Sequence, residues 1–438
     1  MATDALIQIL AKYKKVLDDL STQFNFVLFN LPVYITYESV GSDVDIVVPS
    51  KDYSDVCNYF LKNGFIPHIR HINSHQTAFS KYIKAENKYL MFHIHADVSF
   101  MGIKFFDFQT IYDQSELMAN TGYRYVSLYH DASICLLEFF LKKKLKAKSK
   151  VAKFLDQDCF EEKNLIKPIE FVLKFYNKGL TPSVASQLNF YFLYGSSVMP
   201  LIAYCHRAIF SRFGFLDVKR HGKLVFFIGL DGSGKTTLIN STMLALQTGF
   251  MPIRYRYMGS KVTLLQRFMT LRAGSANRTF GYSSISKAHN RPIIFRWLLC
   301  FYYIFEYLIR SFGDMIFLRS QNNLVLYDRG FYDKLLNPDR SLDDLYFSLL
   351  PKPDLVVFLT GDPEVLWERK KEFSLPKFQQ MASSYGKLVS FLGRKKIRVL
   401  SVDTATKSPE EATDMIVKEI DNIFFDYDLE FYLKYFKD

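Results

Sequence analysis

A glycine-rich segment between an apolar run and the start of a helical pattern is the feature that most constrains the fold of this chain. Residues 225–237 read VFFIGLDGSGKTT, which fits the spacing G-x-x-x-x-G-K-[ST]. In that pattern, backbone N–H groups of the loop and the N-terminus of the next helix bind the phosphates of a nucleoside triphosphate. We therefore expect ATP or GTP to bind here, with Lys235 at the β- and γ-phosphates and Thr236 at Mg²⁺. The residues expected to bind the nucleotide are Gly229, Asp231, Gly232, Ser233, Gly234, Lys235, Thr236 and Thr237.

Length and composition predict a folded protein with two or three domains. The 438 residues exceed one usual core, and 49% hydrophobic residues, with 16% aromatic residues, are enough to form several cores. The five cysteines are scattered without metal-ligand or paired spacing, and the first residues lack the basic and apolar regions of a signal peptide. These features predict a reducing, cytoplasmic location.

The positive charge of the chain is compatible with several acidic partners. The formal net charge of +12 favours acidic partners, and the phosphates of a bound nucleotide already satisfy this expectation. No specific nucleic-acid binding is therefore expected. Lysines are densest in residues 142–150, after an apolar helical pattern. This run is interpreted as a solvated helix end, with contact to nucleic acid or anionic lipid as alternatives.

Residues 297–318 form the most apolar stretch of the chain. Glu306, Arg310 and Asp314 interrupt it at helical spacing, and the uninterrupted apolar run is shorter than the ~20 residues that a membrane span requires. We therefore expect a buried amphipathic helix with one polar face and no transmembrane segment. Contact with a membrane surface is the alternative.

The C-terminal half alternates strand and helix patterns, which predicts an α/β fold with a parallel sheet and flanking helices. The third strand ends in Asp328 and Arg329, at the sheet edge where doubly wound proteins bind ligands. Asp328 is expected to bind Mg²⁺ through water or to position the acceptor, and Arg329 to bind the acceptor's phosphate or the migrating phosphoryl group. The candidate strands are residues 224–228, 253–258, 324–327, 355–359 and 398–402.

Three motifs in this half resemble those of thymidylate kinase and its relatives, in the same order and spacing over residues 222–425. They are FIGLDGSGKTT at 227–237, YDRGF at 327–331 and PDLVVFL at 353–359. The resemblance implies an ATP- and Mg²⁺-dependent kinase in which Asp231 faces the acceptor nucleotide and Arg329 holds its phosphate. Residues 363–372 resemble the helix that leads into the family's lid. The resemblance therefore makes Arg369 and Lys370 candidates for closing over the ATP phosphates.

The acceptor pocket departs from that family. Ile228 stands where thymidylate kinases usually carry an acid, and residues 254–260 replace an Arg-Glu-Pro-Gly-Gly stretch. Residues 328–340 resemble a divergent bacterial branch that is often associated with surface-glycan synthesis. The acceptor is therefore left open between a nucleoside monophosphate such as dTMP, a sugar and a glycan end. Candidate ligands for its phosphate are Arg254, Arg256 and Arg340, because guanidinium groups suit phosphate oxygens.

A second set of polar residues lies on two strand patterns in the N-terminal half. Strand alternation places Asp43 and Asp45 on one face of the first strand, where two carboxylates can hold Mg²⁺. In the second strand, His93, His95 and Asp97 share a face. Asp97 is expected to supply a third carboxylate, and three acids on neighbouring strands would form a two-metal nucleotidyl-transfer site.

Residues 22–105 resemble the nucleotidyltransferase superfamily, in particular a bacterial group with a strand like DVDIVV at 43–48, a following helix, and a strand like residues 93–100. The resemblance implies an α+β domain that continues into a helical extension. Asn30 and Leu31 occupy the position of the Gly-Gly or Gly-Ser pair that binds the triphosphate in this superfamily. This domain is therefore expected either to transfer a nucleotide or to bind a nucleotide or substrate without transferring it.

Histidines are concentrated in the same region. A zinc site is conceivable, but no cysteine partner or helical His-Glu spacing accompanies them, so a cluster on the surface of loops and strands is the favoured interpretation. The five histidines are His68, His71, His75, His93 and His95.

These patterns divide the chain into a nucleotidyltransferase-like domain (1–130), a helical bridging region (131–220) and a thymidylate-kinase-like domain (221–438). The favoured hypothesis is a kinase with the first domain as a second catalytic or substrate-holding module. One alternative is a nucleotidyltransferase that acts through Asp43, Asp45 and Asp97 with an auxiliary kinase. The other is a non-catalytic regulator that senses nucleotides. The oligomeric state is left open, and a homodimer is among the options.

Overall fold

The chain divides into two compact units in the computed structural model. Unit 1 comprises Met1–Phe213 with Asp428–Asp438, and unit 2 comprises Gly214–Tyr427. The residues that the structure describes are 2–29, 43–68, 76–100, 103–118, 122–142, 151, 166–179, 183, 187, 189–190, 193, 222–247, 252–258, 293–318, 323–332, 340–371 and 373–436. Most of the lysine-rich run at 142–150 and of the expected bridging region therefore lies outside the described residues.

Unit 1 contains a mixed seven-stranded sheet in the order β3-β4-β5-β2-β1-β9-β8, with β6 and β7 forming a separate hairpin. Strand β5 pairs in parallel with β2 and antiparallel with β4. Buried aromatic rings from α2 and the sheet, including Phe60, Phe79 and Phe92, pack together on one side. The elements are α1 (Ala2–Ser21), β1 (Val27–Phe29), β2 (Val44–Val48), α2 (Tyr53–Lys62), β3 (Ile66–His68), β4 (Gln76–Ile83), β5 (Lys88–Ala96), β6 (Val98–Phe100), β7 (Ile103–Phe106), α3 (Phe108–Asp113), β8 (Glu116–Leu117), β9 (Arg124–Tyr125), α4 (Leu128–Lys142) and α5 (Lys167–Asn177).

Unit 2 contains an all-parallel five-stranded sheet flanked by helices, in the order β11-β12-β10-β13-β14. This architecture and all five strands predicted in this half are confirmed. Strand β10 is fully buried at the centre, between β12 and β13. The elements are β10 (Lys223–Gly229), α6 (Lys235–Leu246), β11 (Ile253–Tyr257), α7 (Ile293–Phe317), β12 (Leu324–Asp328), α8 (Arg340–Leu349), β13 (Leu355–Thr360), α9 (Pro363–Arg369), α10 (Leu375–Arg394), β14 (Val399–Asp403) and α11 (Pro409–Phe436), of which the residues from Asp428 onward belong to unit 1.

The sequence Ser-Pro-Glu-Glu at 408–411 predicts a capping box and a helix that ends at about Ile423. Helix α11 begins there but ends later. The backbone N–H of Glu411 donates to Ser408 Oγ at 3.1 Å, and the N–H of Ser408 donates to Glu411 Oε2 at 3.0 Å, which confirms the capping box. The helix continues to Phe436 rather than ending near Ile423. No glycine or proline lies between these positions to stop it.

Helix α7 is amphipathic as expected, and its acidic residues are turned inward. Glu306 and Asp314 are 3% and 1% exposed, whereas Phe305 and Phe312 are 63% and 66% exposed. The acids are buried because cations of unit 2 neutralise them: Arg256 Nε donates to Asp314 Oδ1 at 3.1 Å. Among the described residues, no helix is long and apolar enough to cross a membrane.

Candidate functional sites

The loop that follows β10 has a backbone that requires glycine. Gly229, Gly232 and Gly234 have φ values of 149°, 84° and 79°, and side chains rarely adopt such values. A Cβ atom at Gly229 would lie 2.4 Å from the carbonyl oxygen of Leu359, and one at Gly232 would lie 2.8 Å from that of Leu366. The glycines therefore let the loop approach β13 and α9 closely.

Lys235 is the first residue of α6 and folds back over this loop. Its ammonium donates to the carbonyl oxygens of Gly229 and Leu230 at 3.0 and 2.6 Å, and the residue is only 7% exposed. A fixed cation and the N-terminus of α6 are thus placed at one loop. Both favour an anion such as a phosphate.

Asp328 ends β12 beside the loop, because β10 and β12 pair in register. Its Oδ2 atom accepts hydrogen bonds from Thr236 Oγ1 at 3.2 Å and from the Tyr255 hydroxyl at 3.1 Å. Its Oδ1 atom is buried and has no hydrogen-bond partner in the described part of the chain. Burial and the charge of Asp328 raise the pKa of Tyr255 to about 12, so the hydroxyl keeps its proton.

Tyr255 is a site residue that sequence reasoning missed. Residues on an edge strand alternate in direction, and here Tyr255 contacts Asp328 while Arg254 and Arg256 contact Asp314 on α7. The signal that could have identified it is the Arg-Tyr-Arg-Tyr alternation of β11. Of the three arginines considered for the acceptor's phosphate, two are therefore paired with α7. The third, Arg340, begins α8.

Asp231 and Arg329 form a partly buried ion pair across the loop, through Asp231 Oδ1 and Arg329 Nη2. Arg329 has a φ of 60°, which is uncommon for a residue other than glycine, and its backbone N–H donates to Phe227 O at 3.0 Å. Strained backbone of this kind is concentrated at functional sites. The two residues expected to face the acceptor are therefore brought together.

The expected lid residues also adjoin the loop. A Cβ atom at Gly232 would lie 3.4 Å from Lys370 Cβ and 3.7 Å from Arg369 Cβ. Arg369 Nη2 donates to the Thr404 carbonyl at 2.9 Å, next to Asp403, whose carboxylate accepts from Ala405 N. Ser233 is buried in the loop, and its Oγ has no hydrogen-bond partner among the described residues, while Thr237 is exposed on the first turn of α6.

A second cluster lies on one face of the sheet in unit 1. Strands β2 and β5 run in parallel with Asp45 opposite His93, so Asp45, His93 and His95 meet on adjacent strands, and Asp43, just before β2, contacts His93. His93 Nδ1 lies 2.9 Å from Asp43 Oδ2 and 3.2 Å from Asp45 Oδ1, and His95 Nε2 lies 3.3 Å from Asp45 Oδ1. Asp45, His93 and His95 form a group with metal-binding geometry.

The electrostatics of this cluster favour a charged histidine between two carboxylates. Burial opposes ionisation of Asp45, but hydrogen bonds from His93 and His95 outweigh it and hold the pKa of this carboxyl well below its usual range. Burial likewise opposes protonation of His93, and hydrogen bonds to Asp43 and Asp45 outweigh it and raise the pKa of the imidazole. The cluster is thus a tightly coupled ionic site.

Asp97 does not join these carboxylates. It lies four residues beyond His93, or about 13 Å along a strand. Its carboxylate is bound by Lys104 Nζ at 2.7 Å, by the N–H of Phe108 at 2.8 Å and by Ser50 Oγ at 2.9 Å. The two-metal arrangement expected of Asp43, Asp45 and Asp97 is therefore not assembled.

The interpretation of the histidines as a surface cluster is wrong for the described ones. His68 and His93 are 1% and 8% exposed, and His95 is also largely shielded. His71 and His75 lie outside the described residues. The alternation of residues indicated that His93 and His95 share a face. It did not indicate their burial, because their partner Asp45 lies 48 residues before His93 in the sequence.

These geometries are not accompanied by a match to a known protein: no family model matches the sequence, and no curated protein matches it.

Proposed function

We propose that unit 2 is an ATP- and Mg²⁺-dependent phosphotransferase of the thymidylate-kinase-like type. The observation that carries this proposal is the convergence of Lys235, Thr236, Asp328 and Arg329 around one glycine loop, at the carboxyl edge of a parallel sheet. Doubly wound sheets bind ligands at that edge, where the strand order reverses. In unit 2, β10 is the central strand: β12 and β11 lie on one side of it, and β13 and β14 lie on the other.

The residues beside the loop fit Mg²⁺. Asp328 has a buried Oδ1 atom without a partner among the described residues, and the Thr236 hydroxyl lies next to its other oxygen. Mg²⁺ prefers such oxygen ligands together with phosphate oxygens and water. A bound Mg²⁺ would neutralise charge on the β- and γ-phosphates.

Phosphoryl transfer needs positioning and charge neutralisation more than covalent catalysis. An acceptor oxygen forms a bond to the γ-phosphorus, and the bond from that phosphorus to the bridging oxygen breaks, so that ADP leaves with the electron pair. A hydroxyl acceptor also releases its proton to the solvent. In this proposal Lys235 holds the triphosphate, and Arg369, which lies beside the loop, closes over it. Arg329 binds an acceptor that displaces it from Asp231.

The acceptor belongs to one of two classes, a nucleoside monophosphate such as dTMP or a sugar or glycan end. An anionic acceptor would compete with Asp231 for the guanidinium of Arg329. A neutral sugar hydroxyl would leave that ion pair intact and use the carboxylate of Asp231 as a hydrogen-bond acceptor. The two classes are therefore separated by whether Arg329→Lys affects acceptor binding.

The test is transfer of label from γ-labelled ATP, with Mg²⁺, to dTMP, other nucleoside monophosphates, sugars and glycan fragments. Lys235→Ala should lower the rate by about 10³-fold or more, because electrostatic positioning supplies most of the barrier reduction. Lys387→Ala, on the exposed surface of α10, is the matched control and should leave the rate unchanged. An unchanged rate in folded Lys235→Ala, or no labelled acceptor with the wild-type chain, would contradict the proposal.

A further inference from the structure

The resemblance to nucleotidyltransferases implies a Mg²⁺ site built from three carboxylates, and the residues present do not fit it. The carboxylate of Asp97 forms an ion pair with Lys104 and accepts hydrogen bonds from Ser50 and from the backbone N–H of Phe108 in α3. Two imidazoles, His93 and His95, stand beside Asp45 instead. We infer that Asp43, Asp45, His93 and His95 form a site for a divalent transition metal such as Zn²⁺, Mn²⁺ or Co²⁺, rather than for Mg²⁺.

Three of the six distances among the four ligand atoms are close to the edges of a coordination shell. Ligand atoms about 2.0–2.2 Å from a metal in tetrahedral geometry lie about 3.3 Å from one another. His93 Nδ1 and His95 Nε2 lie 3.2 and 3.3 Å from Asp45 Oδ1, and Asp43 Oδ2 lies 2.9 Å from His93 Nδ1. A metal can therefore take the place of the protons that these atoms now share, with small side-chain adjustments.

The chemistry of the ligand set determines the class of metal. Imidazole nitrogens suit Zn²⁺, Fe²⁺, Ni²⁺ and Cu²⁺, whereas Mg²⁺ selects carboxylate, phosphate and water oxygens. Two carboxylates would neutralise the charge of the dication. Pairing of β2 with β5 fixes the backbone of Asp45, His93 and His95, so little ordering of these three residues is required on binding.

The test is metal binding by the full chain, measured by equilibrium dialysis with Zn²⁺, Co²⁺ and Mg²⁺ after removal of metal with a chelator. We expect one Co²⁺ or Zn²⁺ per chain and no binding of Mg²⁺ to unit 1 at the same concentrations; MgATP binding in unit 2 is kept out of the measurement by omitting nucleotide. His93→Gln and His95→Gln should weaken Zn²⁺ binding by more than about 100-fold, since outer partners alone contribute 10- to 100-fold.

His68→Gln is the matched control, because it changes another buried histidine of the same sheet that is bonded to Ser80. It should leave the metal affinity unchanged. If the His93 variant does not fold, Asp43→Asn can replace it, because Asp43 is the most exposed of the four ligands. The visible absorption spectrum of the Co²⁺-loaded wild-type chain also reports whether nitrogen and oxygen atoms bind the metal. Zn²⁺ affinity that is the same in wild type and folded His95→Gln, or binding of Mg²⁺ alone, would overturn the proposal.

A different observation carries a second proposal: the exposed face of α7 is a continuous apolar stripe. Its members are 37–71% exposed and span about 27 Å of helix. Together they present roughly 800 Å² of apolar surface, which is the area that each partner contributes to a standard protein interface. The stripe consists of Ile294, Trp297, Leu298, Phe301, Phe305, Leu308, Ile309 and Phe312.

The spacing of the stripe is symmetric about position 303. Under a two-fold axis through that position, an antiparallel copy of α7 would place Phe301 against Phe305, Leu298 against Leu308, and Trp297 against Ile309. A self-complementary patch of this kind is what an isologous dimer requires. We propose that the stripe, residues 294–312 of α7, pairs with the same stripe of a second copy of this chain.

The charges of α7 favour this occupant over a membrane surface. Helices that lie on membranes carry many Lys and Arg residues on the polar face. Helix α7 has two arginines, two acids and no lysine, and both acids are buried. An interface core, by contrast, is enriched in aromatic residues and depleted of charge.

Sedimentation of the full chain tests the pairing. The wild-type chain should dimerise, and Phe301→Glu or Phe305→Arg alone should be monomeric. A mixture of the two variants should restore a dimer, because the Glu of one copy then faces the Arg of the other. Leu244→Glu, at an exposed leucine of α6, is the control and should leave the dimer intact. A monomeric wild-type chain, whether or not it binds lipid vesicles, or no recovery in the mixture, would overturn the proposal.

Discussion

Gly229 lies where the backbone of unit 2 leaves no room for a side chain. Its φ of 149° lies where only glycine is comfortable, and a Cβ atom would lie 2.4 Å from the backbone oxygen of Leu359. A backbone atom in the centre of a sheet cannot move aside as a flexible side chain can. The conformation of the loop is therefore tied to the packing of β10 against β13.

Gly229→Ala should consequently destabilise unit 2 by about 2–3 kcal/mol, from backbone strain and the clash together. Gly386→Ala is the matched control, because Gly386 lies in α10 with nothing within 4 Å of an added Cβ. It should be neutral or stabilise the protein by up to about 1 kcal/mol. Thermal unfolding followed by circular dichroism measures both effects, and equal stability of the two variants would contradict this account of the loop.

At the same scale, site residues could be predicted from the sequence where their partners lie within the same motif or on a neighbouring parallel strand. Lys235 bonds to carbonyls five and six residues away, and Thr236 meets Asp328 because parallel pairing aligns β10 with β12. Tyr255 was missed because a tyrosine on an edge strand has no distinctive pattern. Asp97 was misplaced because alternation gives the face of a strand but not the distance along it.

At the scale of elements, α7 illustrates what periodicity can and cannot specify. A period of 3.6 residues predicts a helix with two unlike faces, and that helix is present. Periodicity does not say which face is turned inward. The acids of α7 are turned inward because Arg254 and Arg256 of β11 approach Asp314, and Tyr327 donates to it from β12. These partners lie on other elements, so the orientation depends on the tertiary fold.

The strands of unit 2, unlike the orientation of α7, could be predicted from local sequence patterns. They were predicted with nearly their observed bounds, because buried parallel strands are continuous apolar runs between turn residues. In unit 1, the strands with histidines and acids were predicted to be neighbours, but their parallel register was not predicted. The parallel neighbours β2 and β5 are separated along the chain by α2, β3 and β4. The cluster of Asp45, His93 and His95 follows from the register of that pairing, which no local pattern specifies.

At the scale of the whole molecule, the candidate sites lie in different compact units, and ligands should therefore stabilise different parts of the chain. A ligand that binds only the folded state at 100 times its Kd adds about 2.7 kcal/mol. For a unit of this size, that corresponds to a rise in Tm of about 5–10 °C. Zn²⁺ should raise the transition of unit 1, and Mg²⁺ with a non-hydrolysable ATP analogue should raise that of unit 2.

Differential scanning calorimetry of the full chain separates the two effects. Lys235→Ala should abolish the shift caused by the nucleotide and keep the shift caused by Zn²⁺, because Lys235 belongs to the loop of unit 2. His95→Gln should do the reverse, because His95 belongs to the cluster on β5 of unit 1. The wild-type chain could instead show a single unfolding transition whose Tm rises with both ligands, and each substitution could abolish both shifts. That outcome would mean that the two sites are energetically coupled. The nucleotide would then be bound by a structure that the metal helps to hold together.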